Sequence, residues 1–152
     1  MISTRLLARR GLLLGGGGLL AVSLVRPAAA TPEAMRRAIA ELVGKAEVGQ
    51  GLISLDIPPL VENGNVVPLT VAVESPMTEA DHVTDIAIFT GRNPLPQVAH
   101  FHLGPRAGRA RVTMRMRLAT SQAVTAIARL SDGTFRGTSA DVIVTLAACV
   151  ES

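Results

Sequence analysis

The chain is poor in the residues that most often stabilise a small domain. Its 152 residues include one cysteine, no tryptophan, no tyrosine and three phenylalanines. A single cysteine excludes an internal disulfide framework. The scarcity of aromatic side chains means that any core is built mainly from Val, Ile, Leu, Met and Ala. The length corresponds to one domain.

Residues 1–30 have the pattern of a secretory signal peptide. Arg9 and Arg10 precede an uncharged apolar run over 11–25, and three alanines at 28–30 offer a small-residue cleavage site after Ala30. Such a run rises about 22 Å as a helix, short of a ~30 Å hydrocarbon core, which favours a signal peptide over a membrane anchor. The arginine pair resembles a twin-arginine signal. We therefore expect export to the periplasm, with no membrane attachment after cleavage.

The positive net charge belongs to this leader. Cleavage after residue 30 removes four of the fifteen basic residues and none of the twelve acidic ones, leaving eleven basic and twelve acidic residues. A mature chain with no basic excess lacks the usual electrostatic footprint of a nucleic-acid-binding protein. Nucleic acid is therefore not an expected partner.

Residues 31–46 are predicted to contain an N-terminal amphipathic helix, over about 32–44. Thr31 is suited to the N-cap, Pro32 to the first helical position and Gly44 to the stop. The apolar residues of one face follow at helical spacing: Met35, Ala38, Ile39, Leu42 and Val43.

Residues 51–147 change to a period of two, which is typical of strands. Turn signals without any intervening helix divide this region, and they include Glu62–Asn65 and Ser131-Asp132-Gly133. The pattern predicts a mainly β fold, an Ig-like antiparallel β-sandwich preceded by the one helix. The strand candidates are 52–57, 66–73, 83–90, 98–103, 109–118, 122–130, 134–138 and 142–147.

The clearest alternation runs over 109–118. One face is apolar and the other carries four arginines, a pattern that is ordinarily a solvated strand face. The alternative is a docking surface for an acidic partner, formed by Arg111, Arg115 and Arg117 with Arg109 beside them.

Cys149 lies two residues beyond the last predicted strand, in a C-terminal arm over 148–152. Five extended residues span about 17 Å, and the small residues at the base make the arm narrow. A mobile arm cannot hold the base and orienting group that a cysteine enzyme needs, which favours a carrier over an enzyme. An inert, buried cysteine is the alternative from spacing alone. The arm and its base comprise Ala147, Ala148, Cys149, Val150, Glu151 and Ser152.

Three histidines and several methionines have side chains that can bind copper or zinc. Two of the methionines already fit the apolar stripe of a strand, so we expect neither a metal nor a cofactor. The residues are His82, His100, His102, Met77, Met114 and Met116.

Several separated segments resemble SoxY, the sulfur-carrier subunit of the thiosulfate-oxidising Sox system. In order, they are 62–68 (ENGNVVP), 74–78 (ESPMT), 93–99 (NPLPQVA), 101–102 (FH), 117–122 (RLATSQ) and 131–133 (SDG). The arm differs from the Gly-Gly-Cys-Gly-Gly of SoxY. It resembles instead a SoxY-related group with an Ala-Ala-Cys-Ile-Glu arm.

The resemblance implies a carrier without turnover of its own, with Cys149 as the covalent attachment point for sulfur. It implies a SoxZ-like partner subunit, and client enzymes of haem-containing and hydrolase or dehydrogenase types. Two alternatives to the carrier stay open: a non-covalent adaptor subunit with a diverged arm, and an enzyme or metal protein in its own right. A separate possibility is a disulfide-linked homodimer of the isolated chain.

Overall fold

The computed structural model describes residues 31–146. The predicted signal peptide and the arm with Cys149 lie outside these described residues, so both stay predictions. Within 31–146, no helix is long and apolar enough to cross a bilayer.

The predicted helix is present as α1, Pro32–Val43. The Thr31 hydroxyl accepts a hydrogen bond from the backbone N–H of Ala34 at 3.2 Å, which caps the first turn. Gly44, at φ 64°, ends the helix and donates its N–H to the carbonyl of Ala40. A positive φ at this position suits glycine, since it has no Cβ.

Within residues 31–146, nine strands follow the helix. The predicted strands 83–90 and 122–130 are confirmed to the residue. The two predicted at 134–138 and 142–147 form one strand, because 135–142 pair with the preceding strand without a break. The strands are β1 (Val48–Gly49), β2 (Ile53–Asp56), β3 (Leu60–Asn63), β4 (Val67–Val73), β5 (Val83–Thr90), β6 (Gln97–His102), β7 (Ala110–Met116), β8 (Gln122–Leu130) and β9 (Phe135–Leu146).

The strands form two sheets. The smaller sheet has the order β2-β4-β7, and the larger has β1-β9-β8-β5-β6, with β3 also paired to β9. The predicted mainly β, Ig-like architecture is confirmed, with one correction to its strand directions. The short strands β1 and β3 run parallel to β9, whereas the other pairs among the described residues are antiparallel. Part of the turn predicted at Glu62–Asn65 is therefore the end of β3.

The core has two parts, one on each face of the larger sheet. Between the sheets, aliphatic side chains such as Leu69, Ile86 and Val124 are fully or almost fully buried. On the opposite face, Phe89 and Ile127 lie beneath the apolar side of α1. The molecule is thus layered as helix, larger sheet and smaller sheet.

Candidate functional site

The predicted arm follows Leu146 in the sequence, so the candidate site is the end of the sandwich where the described part of β9 ends. The loops at 64–66, 91–96 and 117–121 meet there, because β3, β5 and β7 end at this side and β4, β6 and β8 begin there. We call this part of the molecule the arm-root end.

β9 is hydrogen-bonded on both sides near its end, through Leu146 on one side and Val144 on the other. On one side, Gly64 donates its N–H to the carbonyl of Leu146 at 2.9 Å, at the end of the parallel ladder with β3. On the other side, the hydroxyl of Ser121 accepts from the N–H of Val144 at 2.8 Å. Leu146, the last described residue of β9, is therefore held in place three residues before Cys149.

A buried polar network stiffens the same end. Asn93 is 8 % exposed and Gln122 is 7 % exposed. The Asn93 side chain donates to the carbonyl of Arg117 at 2.8 Å, and its oxygen accepts from the N–H of Ala119 and from Gln122. Leu118 then donates its N–H to the carbonyl of Gly64. This chain of bonds connects the loops with the residue that holds the end of β9.

Three of the segments that carry the family resemblance meet at the arm-root end. They are 62–68, which includes the glycine bonded to Leu146, and 93–99 and 117–122, which supply the polar network. These segments are far apart in the sequence, so their clustering depends on the fold. Together they hold the end of β9, which is the point where the predicted arm follows in the sequence.

The arginine row lies on the outer face of the smaller sheet. Arg111 and Arg115 are exposed on β7, and Arg117 is exposed just beyond it, toward the arm-root end. Ala110 and Met116 point into the core, which confirms the predicted alternation. The structure therefore places the predicted docking residues on one open surface. A docking role for them stays a prediction.

The three histidines and the methionines Met77, Met114 and Met116 do not form one cluster of potential metal ligands. Met77 and Met116 are buried in the core, Met114 packs against it, and the ring of His82 lies 3.0 Å from the carbonyl of Thr78. His100 and His102 do share a face of β6, with ring centroids 4.5 Å apart.

Asp85 is the companion of this pair that the sequence analysis missed. It lies on β5 opposite His102, and its carboxylate oxygen is 2.6 Å from Nδ1 of His102 and 3.1 Å from Nε2 of His100. Burial raises the pKa of Asp85, but hydrogen bonds from Thr84, His102 and His100 outweigh this effect and leave the pKa below its ordinary value. A pairing of strands 83–90 and 98–103 in the right register was the one signal that could have found it.

Fold and site together define a small Ig-like β-sandwich domain, covered by a helix on one face and anchored firmly at the end of its last strand. The chain belongs to the SoxY family: the model of the family "Sulfur oxidation protein SoxY" matches residues 39–149. This match includes Cys149. No curated protein matches the chain.

Solved structures agree with the family. The sulfur carrier protein SoxY from Chlorobium limicola f thiosulfatophilum is 31 % identical, with a TM-score of 0.63 over 75 % of this chain and 98 % of that one. A superoxide reductase (neelaredoxin) from Ignicoccus hospitalis is 21 % identical, with a TM-score of 0.56 over 76 % and 94 % of the two chains. One from Nanoarchaeum equitans is 14 % identical, with a TM-score of 0.52 over 64 % and 98 %. At these identities, the superoxide reductases share the fold alone.

Proposed function

We propose that this chain is a periplasmic sulfur carrier that holds sulfur intermediates covalently on Cys149 and presents them to enzymes of a sulfur oxidation pathway. The observation that carries the proposal is the anchoring of β9 through Leu146, three residues before the cysteine. Membership of the SoxY family supports it, as does the resemblance to a solved SoxY that is described as a sulfur carrier.

In the proposed arrangement, the sandwich domain is rigid and a short arm extends from it. Residues 147–149 span about 10 Å when extended, enough to bring a thiol into a client's pocket while the sandwich stays outside. Ala147 and Ala148 keep the base of this segment narrow. The activating groups then belong to the client enzyme, and the carrier has no turnover of its own.

Loading requires an oxidant in the partner. With thiosulfate as cargo, the Cys149 thiol loses its proton and its sulfur bonds to the outer sulfur of thiosulfate, giving a cysteine S-thiosulfonate. Two electrons leave in this step, and we assign them to a haem-containing client. Such chemistry changes the mass of one residue and is reversed by a thiol reductant, because the new bond is a disulfide-type S–S bond.

The test is intact mass spectrometry of the chain isolated together with its periplasmic partners, before and after reductant. We expect adducts that correspond to bound thiosulfate or to added sulfur atoms, that map to Cys149 and that disappear on reduction. The matched control is Cys149→Ser, expressed in the same way, which should carry no such adduct. An unmodified thiol in the active pathway would overturn the proposal.

A SoxZ-like subunit is the proposed structural partner, and the arginine row is its proposed docking surface or that of an acidic client. The double change Arg115→Glu with Arg117→Glu should weaken the complex, and raised salt should weaken the unmodified complex in the same way. The matched control is Arg106→Glu, an exposed arginine in the short helical turn Pro105–Ala107, before β7. Equal affinity of both variants would reject this surface.

The non-covalent adaptor is the second candidate, and the arm sequence itself favours it. Val150 is β-branched and wider than the glycine at that place in the SoxY arm, so a client channel shaped for glycine would exclude it. In that case Cys149→Ser would leave both pairing and pathway function intact. If the chain is a covalent carrier, Cys149→Ser should still bind the SoxZ-like subunit but should abolish sulfur oxidation by the pathway.

A further inference from the structure

Asp85, His100 and His102 form a cluster at the edge of the larger sheet, away from the arm-root end. Asp85 lies near the start of β5, and the histidines lie near the end of the neighbouring β6. One potential ligand atom from each residue lies within 4.8 Å of the other two. This is the only such group of histidine, cysteine and acidic side chains within residues 31–146.

Strand geometry fixes the cluster. His100 and His102 are two residues apart, so both point to the same face of β6. Asp85 pairs with His102 across the antiparallel ladder, and His100 pairs with Ala87. The face is the one that α1 covers further along, since Ala87 lies in the cluster packed against the helix. The three side chains are therefore held by backbone pairing rather than by a flexible loop.

We propose that Asp85, His100 and His102 bind a divalent transition-metal cation of the zinc type. Two imidazoles and one carboxylate are ligands that such ions accept, and three protein ligands leave a coordination position for water or another group. Hard cations such as Mg²⁺ and Ca²⁺ prefer sites made of oxygen ligands.

The distances fit this coordination with a small adjustment. Ligand atoms about 2.0–2.2 Å from a tetrahedral ion lie roughly 3.3 Å from one another. The carboxylate oxygen is 2.6 Å and 3.1 Å from the two imidazole nitrogens, so both distances are shorter than that value and must lengthen slightly. The side chain of His102 is 78 % exposed, so it can turn to complete the site.

No competing cation is bound to Asp85 among the described residues. Its ion-pair contacts there are to the two histidines. Arg129 is its cross-strand neighbour on β8, but the guanidinium carbon of Arg129 lies 5.9 Å from the ring centroid of Phe135, toward β9. The carboxylate thus retains its charge for an incoming ion.

The experiment is calorimetric titration of ZnCl₂ into the full chain carrying Cys149→Ser, so that the thiol does not bind the ion. We expect one site per chain with a dissociation constant in the micromolar range or tighter. His102→Gln and Asp85→Asn should each weaken it roughly tenfold or more, because each removes a ligand. The matched control is His82→Gln, since His82 is the third histidine and lies outside the cluster.

Two further readouts decide the matter. Binding should weaken as pH falls below the ordinary imidazole pKa of about 6.5, because protons then compete with the metal. Imidazole nitrogen resonances of His100 and His102 should shift on zinc addition, while those of His82 stay unchanged. Absence of saturable binding, or equal binding by His102→Gln and His82→Gln, would overturn the proposal. The site is independent of the carrier function, which this Cys149→Ser background removes.

Discussion

The two outward faces of the sandwich differ sharply. The outer face of the larger sheet is apolar at its centre, where Phe89 is completely buried under α1. The outer face of the smaller sheet is uncovered in the described chain and carries Thr113 on β7, between Arg111 and Arg115. The outer face of the larger sheet is thus covered by α1, whereas the outer face of the smaller sheet is polar and exposed.

This difference can be seen in the sequence of the strands. In β5, Ile86 to Thr90 are all buried, because one set of side chains meets the smaller sheet and the other meets the helix. In β7, burial alternates residue by residue. A continuous apolar run thus marks a strand covered on both faces, and strict alternation marks a strand covered on one.

The largest expected effect comes from opening the covered face. Phe89→Ala should destabilise the domain by about 3–5 kcal/mol, since a buried aromatic ring leaves a cavity between sheet and helix. Thr113→Ala, the control on the uncovered face, should cost less than about 1 kcal/mol despite losing its hydroxyl contact with Thr70. Urea unfolding of both variants measures the contrast. Equal losses would show that the two faces do not differ in this way.

The polar network at the arm-root end should give the next largest effect. Asn93→Ala should cost about 1–3 kcal/mol, because the buried N–H of Ala119 and carbonyl of Arg117 lose their partner. Asn65→Ala is a control at the same end, because the side chain of Asn65 donates a hydrogen bond only to its near neighbour Asn63 among the described residues. If the network fixes the base of the arm, hydrogen exchange at Leu118 and Gly64 should speed up in the Asn93 variant alone. Unchanged exchange would contradict that role.

A smaller loss of stability is expected from a substitution in α1, the helix that covers the outer face of the larger sheet. Ile39 is half-buried against the sheet, so Ile39→Ala should cost about 1–2 kcal/mol. Glu41→Ala changes an exposed residue of the same helix and should be nearly neutral. Denaturation curves that move equally for both variants would mean that the helix contributes little to the stability of this face.

Much of the fold could be predicted because local patterns agree with it. The N-cap, the first-turn proline and Gly44 mark the ends of α1, and the strands over 83–90 and 122–130 have clear turn signals on both sides. β1 was missed because two residues carry no period. β3 was missed because its parallel partner, β9, lies some eighty residues further on, and pairing over that distance leaves no local trace.

The candidate site was predicted unevenly for the same reason. The alternation over 109–118 revealed which arginines face outward, since a period of two determines the face of each residue. The same pattern assigns Met114 and Met116 to the apolar stripe of their strand rather than to a metal site, and they do lie against or in the core. Asp85 could not be placed beside the histidines without the register of β5 against β6. The position of Cys149 relative to the sandwich stays a prediction.

The smallest expected effect concerns the place where the covered face ends and turns polar. Asp85 has a pKa below its ordinary value of 3.8 in the folded chain. Its ionised form therefore stabilises the fold above about pH 3.8, and this contribution is lost as pH falls through the lower, folded-state pKa.

Asp85→Asn removes that titration, so the difference in unfolding free energy between the original chain and the variant should be constant near neutral pH and shrink below about pH 4. The difference should stay within about 1 kcal/mol, because the histidine partners are partly exposed. Asp56→Asn, an exposed aspartate on the outer face of the smaller sheet, is the control. Urea midpoints measured without metal from pH 3 to 7 give the comparison. A difference that grows toward acid would contradict this prediction, because it would mean that folding raises the pKa of Asp85.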